Sequence, residues 1–278
     1  MEIIQFLQSF STPLLDQIVQ GITMLGEEEF LVVVTAIIYW CINKNIGYTM
    51  SFALLFSTYI NIDLKELFHT ARPIGVEGIK SLRTETAFGD SFPSGHTQAA
   101  VTFWSSLALG FRRRLTTGLA IIIIALVGIS RLYLGVHWPI DVIGGIGFGL
   151  ISAYLIFKVF NLPTEKRNKW LIIIVIIPAL IGLPFVKDTH YFTIISLMIG
   201  LFGGYLIEQK SINFEVKASV SIQLLKVLIG VIGIFAIKIV IKAILPETVL
   251  FNGIRYGLIG FWVTAGAPYM FNLINKRK

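Results

Sequence analysis

Long apolar stretches recur along this chain of 278 residues and constrain its fold more than any other feature. A helix needs about 20 consecutive apolar residues to cross a bilayer, and only helices and closed barrels satisfy the backbone inside it. We identify nine such stretches, at residues 29–43, 47–67, 94–111, 116–135, 139–160, 169–185, 191–207, 220–243 and 253–272. The sequence therefore predicts an all-α integral membrane protein with about nine transmembrane helices.

Composition supports this prediction. Hydrophobic residues make up 55% of the chain and charged residues 14%, whereas a soluble domain averages about 45–50% and about 25%. The single cysteine, Cys41, excludes an intrachain disulfide. The net charge of +7 does not indicate a nucleic-acid partner, because membrane proteins concentrate Lys and Arg on one side of the bilayer.

The residues before the first apolar stretch have a different pattern. Within residues 1–28, Leu14, Leu15, Ile18 and Val19 recur at helical spacing, and polar residues fall on the other face. This pattern predicts an amphipathic N-terminal segment that lies on the membrane surface.

Basic residues divide the loops into two alternating sets. The strongly basic set contains Lys44, Arg112, Arg113, Arg114, Lys158, Lys166, Arg167, Lys169, Lys210, Lys217, Lys276, Arg277 and Lys278. The other set includes the acidic N-terminal segment and is basic mainly in the 68–93 loop. By the positive-inside rule we expect the N-terminus outside and the C-terminus in the cytoplasm, which agrees with an odd number of helices.

Three polar clusters lie at helix ends on the predicted outer side. They are Lys65-x6-Arg72-Pro73, Pro93-Ser94-Gly95-His96 and Ser130-Arg131-x5-His137-x3-Asp141. Each cation alone is explained by snorkelling or solvation, but together they predict a site for a multiply charged anion. The start of a helix at Gly95 would add free backbone N–H groups to that site.

The third cluster pairs a histidine with a carboxylate. His137 and Asp141 are four residues apart, and Pro139 suits the first turn of a helix. The carboxylate can cap this helix, or orient one imidazole nitrogen and leave the other free as a nucleophile, or do both. A metal site is the competing interpretation, but the surrounding cations already supply the charge that a metal would supply, so we expect none.

These clusters resemble the complete three-part signature of the type 2 phosphatidic acid phosphatase family, over about residues 47–160. The family includes membrane lipid phosphatases, glucose-6-phosphatase and soluble vanadium haloperoxidases. No signature position departs from the pattern. The resemblance implies a phosphatase that needs no metal or other cofactor.

The resemblance also implies a role for each signature residue. His137 attacks phosphorus and forms a phosphohistidine, and Asp141 orients it. His96 protonates the leaving oxygen and later deprotonates the water. The phosphoryl oxygens are held by Lys65, Arg72, Ser94, Gly95 and Arg131.

The resemblance suggests a division of the chain. Residues 29–162 are expected to form the catalytic transmembrane core, and residues 163–278 a C-terminal extension of four transmembrane helices. Three residues outside the signature are further candidates for substrate binding. They are His69 in the outer loop, and Lys238 and Lys242, which snorkelling also explains.

The leading hypothesis is a lipid phosphatase at the outer face of a bacterial cell membrane, with the bilayer as its surroundings. Phosphatidate, phosphatidylglycerophosphate and undecaprenyl diphosphate all fit as substrates. The alternatives are a phosphatase for a soluble sugar phosphate, a lipid phosphotransferase and a transporter. No paired inverted repeat supports the transporter. The sequence leaves the oligomeric state open.

Overall fold

The computed structural model describes residues 1–186 and 189–275, and helices are the only regular secondary structure in this part of the chain. The predicted basic tail at Lys276, Arg277 and Lys278 lies outside the described residues. The all-helical prediction is confirmed.

Seven helices precede Pro163. They are α1 (Glu2–Gln8), α2 (Pro13–Thr23), α3 (Glu28–Ile37), α4 (Lys44–Phe68), α5 (Gly95–Phe111), α6 (Arg114–Tyr133) and α7 (Pro139–Phe160). Short 3₁₀ turns lie at Met24–Gly26 and Thr84–Thr86, and a π turn at Ile38–Ile42 extends α3.

Six helices follow. They are α8 (Thr164–Leu171), α9 (Ile177–Gly182), α10 (Thr189–Ile207), α11 (Val220–Ile244), α12 (Val249–Phe261) and α13 (Ala267–Asn275). Three π turns, at Ile172–Ile176, Glu208–Ile212 and Trp262–Gly266, extend or join them.

The chain forms two compact units. The first contains Met1–Val34 and Thr49–Pro163, and the second contains Thr35–Tyr48 and the chain from Thr164 onward. The predicted boundaries at residues 28 and 162 stay predictions.

Among the described residues, five helical segments are long and apolar enough to cross a membrane. They are Arg114–Tyr133, Pro139–Phe160, Thr189–Ile212, Val220–Ile244 and Val249–Ile274. The other predicted spans differ for simple reasons: α3 has 10 residues and α5 has 17, α8 carries several charges, and α4 contains many polar residues. The chain is an integral membrane protein, and the count of nine spans stays a prediction.

Glycines allow α7 to approach α5 closely in the first unit. A Cβ on Gly145 would lie 2.9 Å from the Ser94 carbonyl oxygen, and one on Gly149 would lie 2.7 Å from Cβ of Val101. Real Cβ atoms do not approach other atoms this closely, so larger residues would force the helices apart. The start of α7 is therefore held against the start of α5.

A buried polar network joins α4 to α5. Nδ2 of Asn61 donates to the Pro93 carbonyl oxygen and to Oε1 of Gln98, at 3.2 and 2.9 Å. Nε2 of Gln98 donates to the Ser57 carbonyl oxygen at 2.8 Å. These groups satisfy one another in the core, as buried polar groups must, and they anchor the turn that precedes α5.

The N-terminal segment packs on the 68–93 loop and on α6. Nε2 of Gln8 donates to the carbonyl oxygens of Lys80 and Tyr133, at 2.6 and 2.8 Å. The carboxylate of Asp16 accepts from Nζ of Lys80 at 2.7 Å and from the Tyr133 hydroxyl at 2.5 Å. Large apolar side chains on this segment are exposed, among them Phe6, Phe10, Leu14 and Ile18.

Candidate active site

The three polar clusters meet at one end of the first unit. The end of α4 supplies Lys65, the following loop Arg72, and the start of α5 His96; Arg131 ends α6, and His137 precedes α7. His137 is buried, and Arg72, Arg131, Lys65 and His96 all lie close enough to affect its pKa. The sequence-based grouping of these residues therefore agrees with the fold.

One carboxylate oxygen connects the start of α7 to His137. Oδ2 of Asp141 lies 3.3 Å from Nδ1 of His137 and accepts from the backbone N–H of Trp138 at 2.7 Å. The side chains of His137 and Asp141 are 2% and 1% exposed. Asp141 thus caps the helix and orients the imidazole, so the two readings of this carboxylate hold together.

The guanidinium of Arg72 is fixed by backbone carbonyls. It donates to the carbonyl oxygens of Val136, Gly89, Phe88 and Asp90, at 3.0, 2.8, 2.7 and 3.2 Å. Burial lowers the pKa of Arg72 to about 10, so it keeps its charge at neutral pH. The interpretation of Arg72 as a merely solvated cation is wrong.

The contact between Arg72 and His137 shows which imidazole nitrogen carries the lone pair. Nη1 of Arg72 lies 2.9 Å from Nε2 of His137. Arginine can only donate, so Nε2 carries a lone pair and Nδ1 carries the proton that points at Asp141. Burial, and then the positive charge of Arg72, lower the pKa of His137 well below its usual value, which favours this neutral form.

Ser91 completes this arrangement, and the sequence analysis assigned it no role. Its hydroxyl donates to Oδ2 of Asp141 at 2.5 Å and lies 3.4 Å from Nδ1 of His137. Its own backbone N–H donates to the Thr70 carbonyl oxygen at 2.8 Å. Its position two residues before the Pro-Ser-Gly-His motif is the only sequence signal that indicated it.

Arg131 lies inside the protein with unused hydrogen-bonding capacity. Its side chain is 0% exposed, so snorkelling does not explain this cation. Nη1 donates to the Thr23 hydroxyl at 2.8 Å, whereas Nε and Nη2 have no hydrogen-bond partner among the described residues. Free donors on a buried guanidinium are costly unless an anion occupies the space beside them.

His96 lies beside an ion pair that the sequence analysis did not predict. Its Nε2 is 3.8 Å from Oε1 of Glu27, and it is buried without a hydrogen-bond partner among the described residues. Nε and Nη2 of Arg83 both donate to that same oxygen, at 2.9 and 2.6 Å. No short motif indicated Glu27 or Arg83, since both lie outside the three clusters.

The remaining phosphate-binding candidates lie at the edges of this site. Ser94 is the N-cap of α5, and its hydroxyl contacts the Thr97 hydroxyl at 3.0 Å. Gly95 is the first residue of α5, where backbone N–H groups have no partner within the helix. Nζ of Lys65 donates to the Phe88 carbonyl oxygen at 3.5 Å.

The three weaker candidates lie in exposed positions. Nδ1 of His69 pairs with Oδ2 of Asp90 at 3.1 Å. Lys238 and Lys242 belong to the second unit, where Nζ of Lys242 pairs with Oε1 of Glu247 at 2.7 Å. Their part in substrate binding stays a prediction. Across the described residues, no group of three His, Cys, Asp or Glu side chains is arranged to hold a metal ion.

Comparison with known proteins shows that both halves of the chain match families described under the same superfamily. Residues 47–165 match the family described as the PAP2 superfamily. Residues 192–278 match the family described as PAP2 superfamily phosphatase, transmembrane extension.

Two curated relatives share the first part of the chain. Phosphatidylglycerophosphatase B of Bacillus subtilis (strain 168) is 32% identical over 157 residues, which are 52% of this chain and 74% of that protein. Lipid A 1-phosphatase of Rhizobium johnstonii is 33% identical over 120 residues, 41% of this chain and 48% of that protein. The chain thus spans about three quarters of the first relative and about half of the second.

A solved structure, that of Aquifex aeolicus LpxE, superposes with a TM-score of 0.52 and 27% sequence identity. The superposition covers 56% of this chain and 93% of that one. The resemblance inferred from the three clusters is thereby confirmed. The chain belongs to the PAP2 superfamily, and it is an integral membrane phosphatase that hydrolyses phosphoric monoesters or diphosphates.

Proposed function

We propose that this protein hydrolyses a lipid phosphate or diphosphate at the outer face of the membrane through a phosphohistidine intermediate. The observation that carries the proposal is the position of His137. Its Nδ1 faces Asp141 at 3.3 Å, and its Nε2 receives a hydrogen bond from Arg72. The imidazole is thus held with its lone pair toward the cationic side of the site, as a nucleophile must be.

The first step forms a bond between Nε2 of His137 and phosphorus while the bond from phosphorus to the leaving oxygen breaks. His96 gives a ring proton to that oxygen, and Asp141 stabilises the positive charge on His137. Water then attacks phosphorus, the bond from nitrogen to phosphorus breaks, and the neutral His96 accepts a proton from the water. Phosphate leaves, and both histidines return to their starting states.

Fixed cations stabilise the charge that develops on the phosphoryl oxygens. The free donors of Arg131 and the backbone N–H groups at Gly95 supply donors for these oxygens. Arg72 moves one donor from Nε2 of His137 to a phosphoryl oxygen when substrate binds. Because carbonyls and Thr23 already hold these groups, little reorganisation is needed in the transition state.

The surroundings of Lys65 favour a lipid substrate. Leu67, Phe68 and Phe88 are 71%, 51% and 78% exposed beside it, and the Phe88 carbonyl accepts from both Lys65 and Arg72. Apolar side chains at the edge of a cationic site let an acyl or prenyl tail stay in the bilayer while the phosphate enters. The curated relatives are named for lipid phosphates, which supports the same substrate class.

The test is phosphate release by the purified protein across a panel of phosphates, with His137→Ala as the inactive control. The panel contains phosphatidate, phosphatidylglycerophosphate, undecaprenyl diphosphate and glucose 6-phosphate. We expect turnover of at least one lipid, inhibition by orthovanadate and full activity in chelator. Near-normal turnover by a folded His137→Ala protein would refute the phosphohistidine mechanism. A preference for glucose 6-phosphate would overturn the lipid assignment.

A further inference from the structure

We propose that Glu27 is a positioning residue that favours the protonated, proton-donating state of His96, with Arg83 fixing the carboxylate. This inference rests on the proposed function, because it gives His96 the role of general acid. Glu27 lies outside residues 47–165, which match the phosphatase family, and outside all three polar clusters. It therefore adds an N-terminal residue to the catalytic arrangement.

The carboxylate of Glu27 lies beside the imidazole of His96, whose Nε2 has no hydrogen-bond partner among the described residues. Oε1 of Glu27 lies 3.8 Å from Nε2 of His96, and the two side chains are each 15% exposed. This distance is too long for a hydrogen bond but short enough for strong attraction in a buried site. A proton on Nε2 would therefore be stabilised by the negative charge of Glu27.

The contact depends on a close approach of the chain that only glycine permits. A Cβ on Gly26 would lie 2.8 Å from the His96 carbonyl oxygen and 3.0 Å from Cγ1 of Val127. Nε1 of Trp104, on α5, donates to the Leu25 carbonyl oxygen at 3.3 Å. The turn Met24–Gly26 is thus held against α5, and Glu27 follows it directly.

Burial of the His96 ring, and then the arginines around it, explain why an anion is needed there. The charged and titratable groups near its ring are Glu27, Arg83, Arg131 and His137. Among these, Glu27 is the carboxylate, and the arginines repel a proton on His96. His96 and Arg83 lower the pKa of Glu27, so the carboxylate stays ionised at neutral pH. A general acid in such a cationic site needs this compensation to hold its proton before the leaving oxygen accepts it.

The test compares leaving groups, because a general acid matters most when the leaving oxygen is a poor one. We compare Glu27→Gln with Glu29→Gln, an exposed acid two residues away, on phosphatidate and on p-nitrophenyl phosphate. We expect Glu27→Gln to lower kcat on phosphatidate by about tenfold or more, with a much smaller loss on p-nitrophenyl phosphate. The basic limb of its kcat/KM profile should move to lower pH by about one unit.

Two further variants keep the result unambiguous. Glu27→Asp retains the charge and withdraws it by one methylene, so we expect the same selectivity in weaker form even if Glu27→Gln folds poorly. An equal loss on both substrates, or no loss in either variant, would overturn the role of Glu27. His137→Ala separates the two proposals: if it stays active, the phosphohistidine mechanism fails, whereas a dead His137→Ala beside an unaffected Glu27→Gln refutes only this inference.

Discussion

At the residue scale, Asp141 joins local structure to chemistry through a single oxygen. Its Oδ2 accepts from the backbone of Trp138 and from the hydroxyl of Ser91, and it faces Nδ1 of His137. The contact with Trp138 caps the N-terminus of α7, and the contacts with Ser91 and His137 align the imidazole. A carboxylate that is fixed by two donors cannot rotate away from His137, so the orientation is present before substrate binds.

Ser91 is therefore expected to contribute to the rate without touching substrate. Ser91→Ala removes one donor from Oδ2 of Asp141, which leaves the carboxylate freer to move. We expect a decrease in kcat of about tenfold, equivalent to about 1.4 kcal/mol in the activation free energy, with little change in KM. Steady-state kinetics on the best lipid substrate measure this.

Ser106→Ala is the matched control for this variant. Ser106 is also buried, on α5, and its hydroxyl has no hydrogen-bond partner within the described part of the chain. We expect its kcat to equal that of the wild type. Equal effects of the two substitutions would show that Ser91 acts through packing and not through Asp141.

At the scale of elements, the N-terminal segment connects the 68–93 loop to the helical core. Asp16 on α2 pairs with Lys80 in that loop and with Tyr133 at the end of α6. The hydrogen bond from Lys80, followed by that from Tyr133, lowers the pKa of Asp16 to about 2. The ionised carboxylate therefore stabilises the folded state above the ordinary Asp pKa of about 4, and this contribution is lost as the pH falls through about 2.

This linkage predicts a pH-dependent Tm. In detergent, the Tm of the wild type should fall further between about pH 4 and about pH 2 than that of Asp16→Asn, and the two should differ most near neutral pH. Glu2→Gln, on the exposed face of α1, is the control and should follow the wild type. Parallel Tm curves for the wild type and Asp16→Asn would contradict the assignment.

The second unit is held together by a different buried ionic cluster. Nζ of Lys44 and the Tyr48 hydroxyl each donate to the carboxylate of Glu208 at 2.8 Å. Nζ of Lys226 is buried and donates to the carbonyl oxygens of Glu215 and Val216. Every charge in this cluster is paired or hydrogen-bonded, as charges inside a membrane protein must be. The charged groups of this cluster find their partners within the unit, whereas Arg131 in the first unit keeps donors without a partner among the described residues.

At the scale of the whole molecule, the charge pattern of the loops predicts which side of the membrane the site faces. Arg112 and Arg113 lie between α5 and α6 and Arg114 begins α6, whereas the candidate site lies at the other ends of these helices. The positive-inside rule then places the site outside and the three arginines in the cytoplasm. This orientation belongs to the proposed function and needs its own test.

Cysteine labelling in intact cells provides that test. Cys41 is the only cysteine, so Cys41→Ala gives a background without thiols. Glu77→Cys then introduces a single exposed thiol in the 68–93 loop, and Arg113→Cys introduces one between α5 and α6. We expect a membrane-impermeant maleimide to label Glu77→Cys in intact cells, and Arg113→Cys only after permeabilisation. The reverse pattern would place the site in the cytoplasm.

The sequence by itself determined the helical membrane class, the phosphatase family and the residues of the three clusters. These features are local: hydrophobic runs, helix-start chemistry and the four-residue spacing of His137 and Asp141 are visible in short windows. The nine apolar stretches were also local, but short or charged helices such as α3, α4 and α8 make the number of spans depend on their surroundings.

Only the tertiary structure decided which residues support the clusters. Thr23, Glu27 and Arg83 reach Arg131 and His96 from segments that carry no spacing relation to them, because a contact between distant parts of a chain is set by packing. The same is true of the carbonyl groups that hold Arg72. Burial likewise distinguished Arg131 from a snorkelling cation, because its side chain is enclosed and keeps free donors. The exposure of a side chain depends on the neighbours that the fold assembles, so it could not be predicted from the sequence.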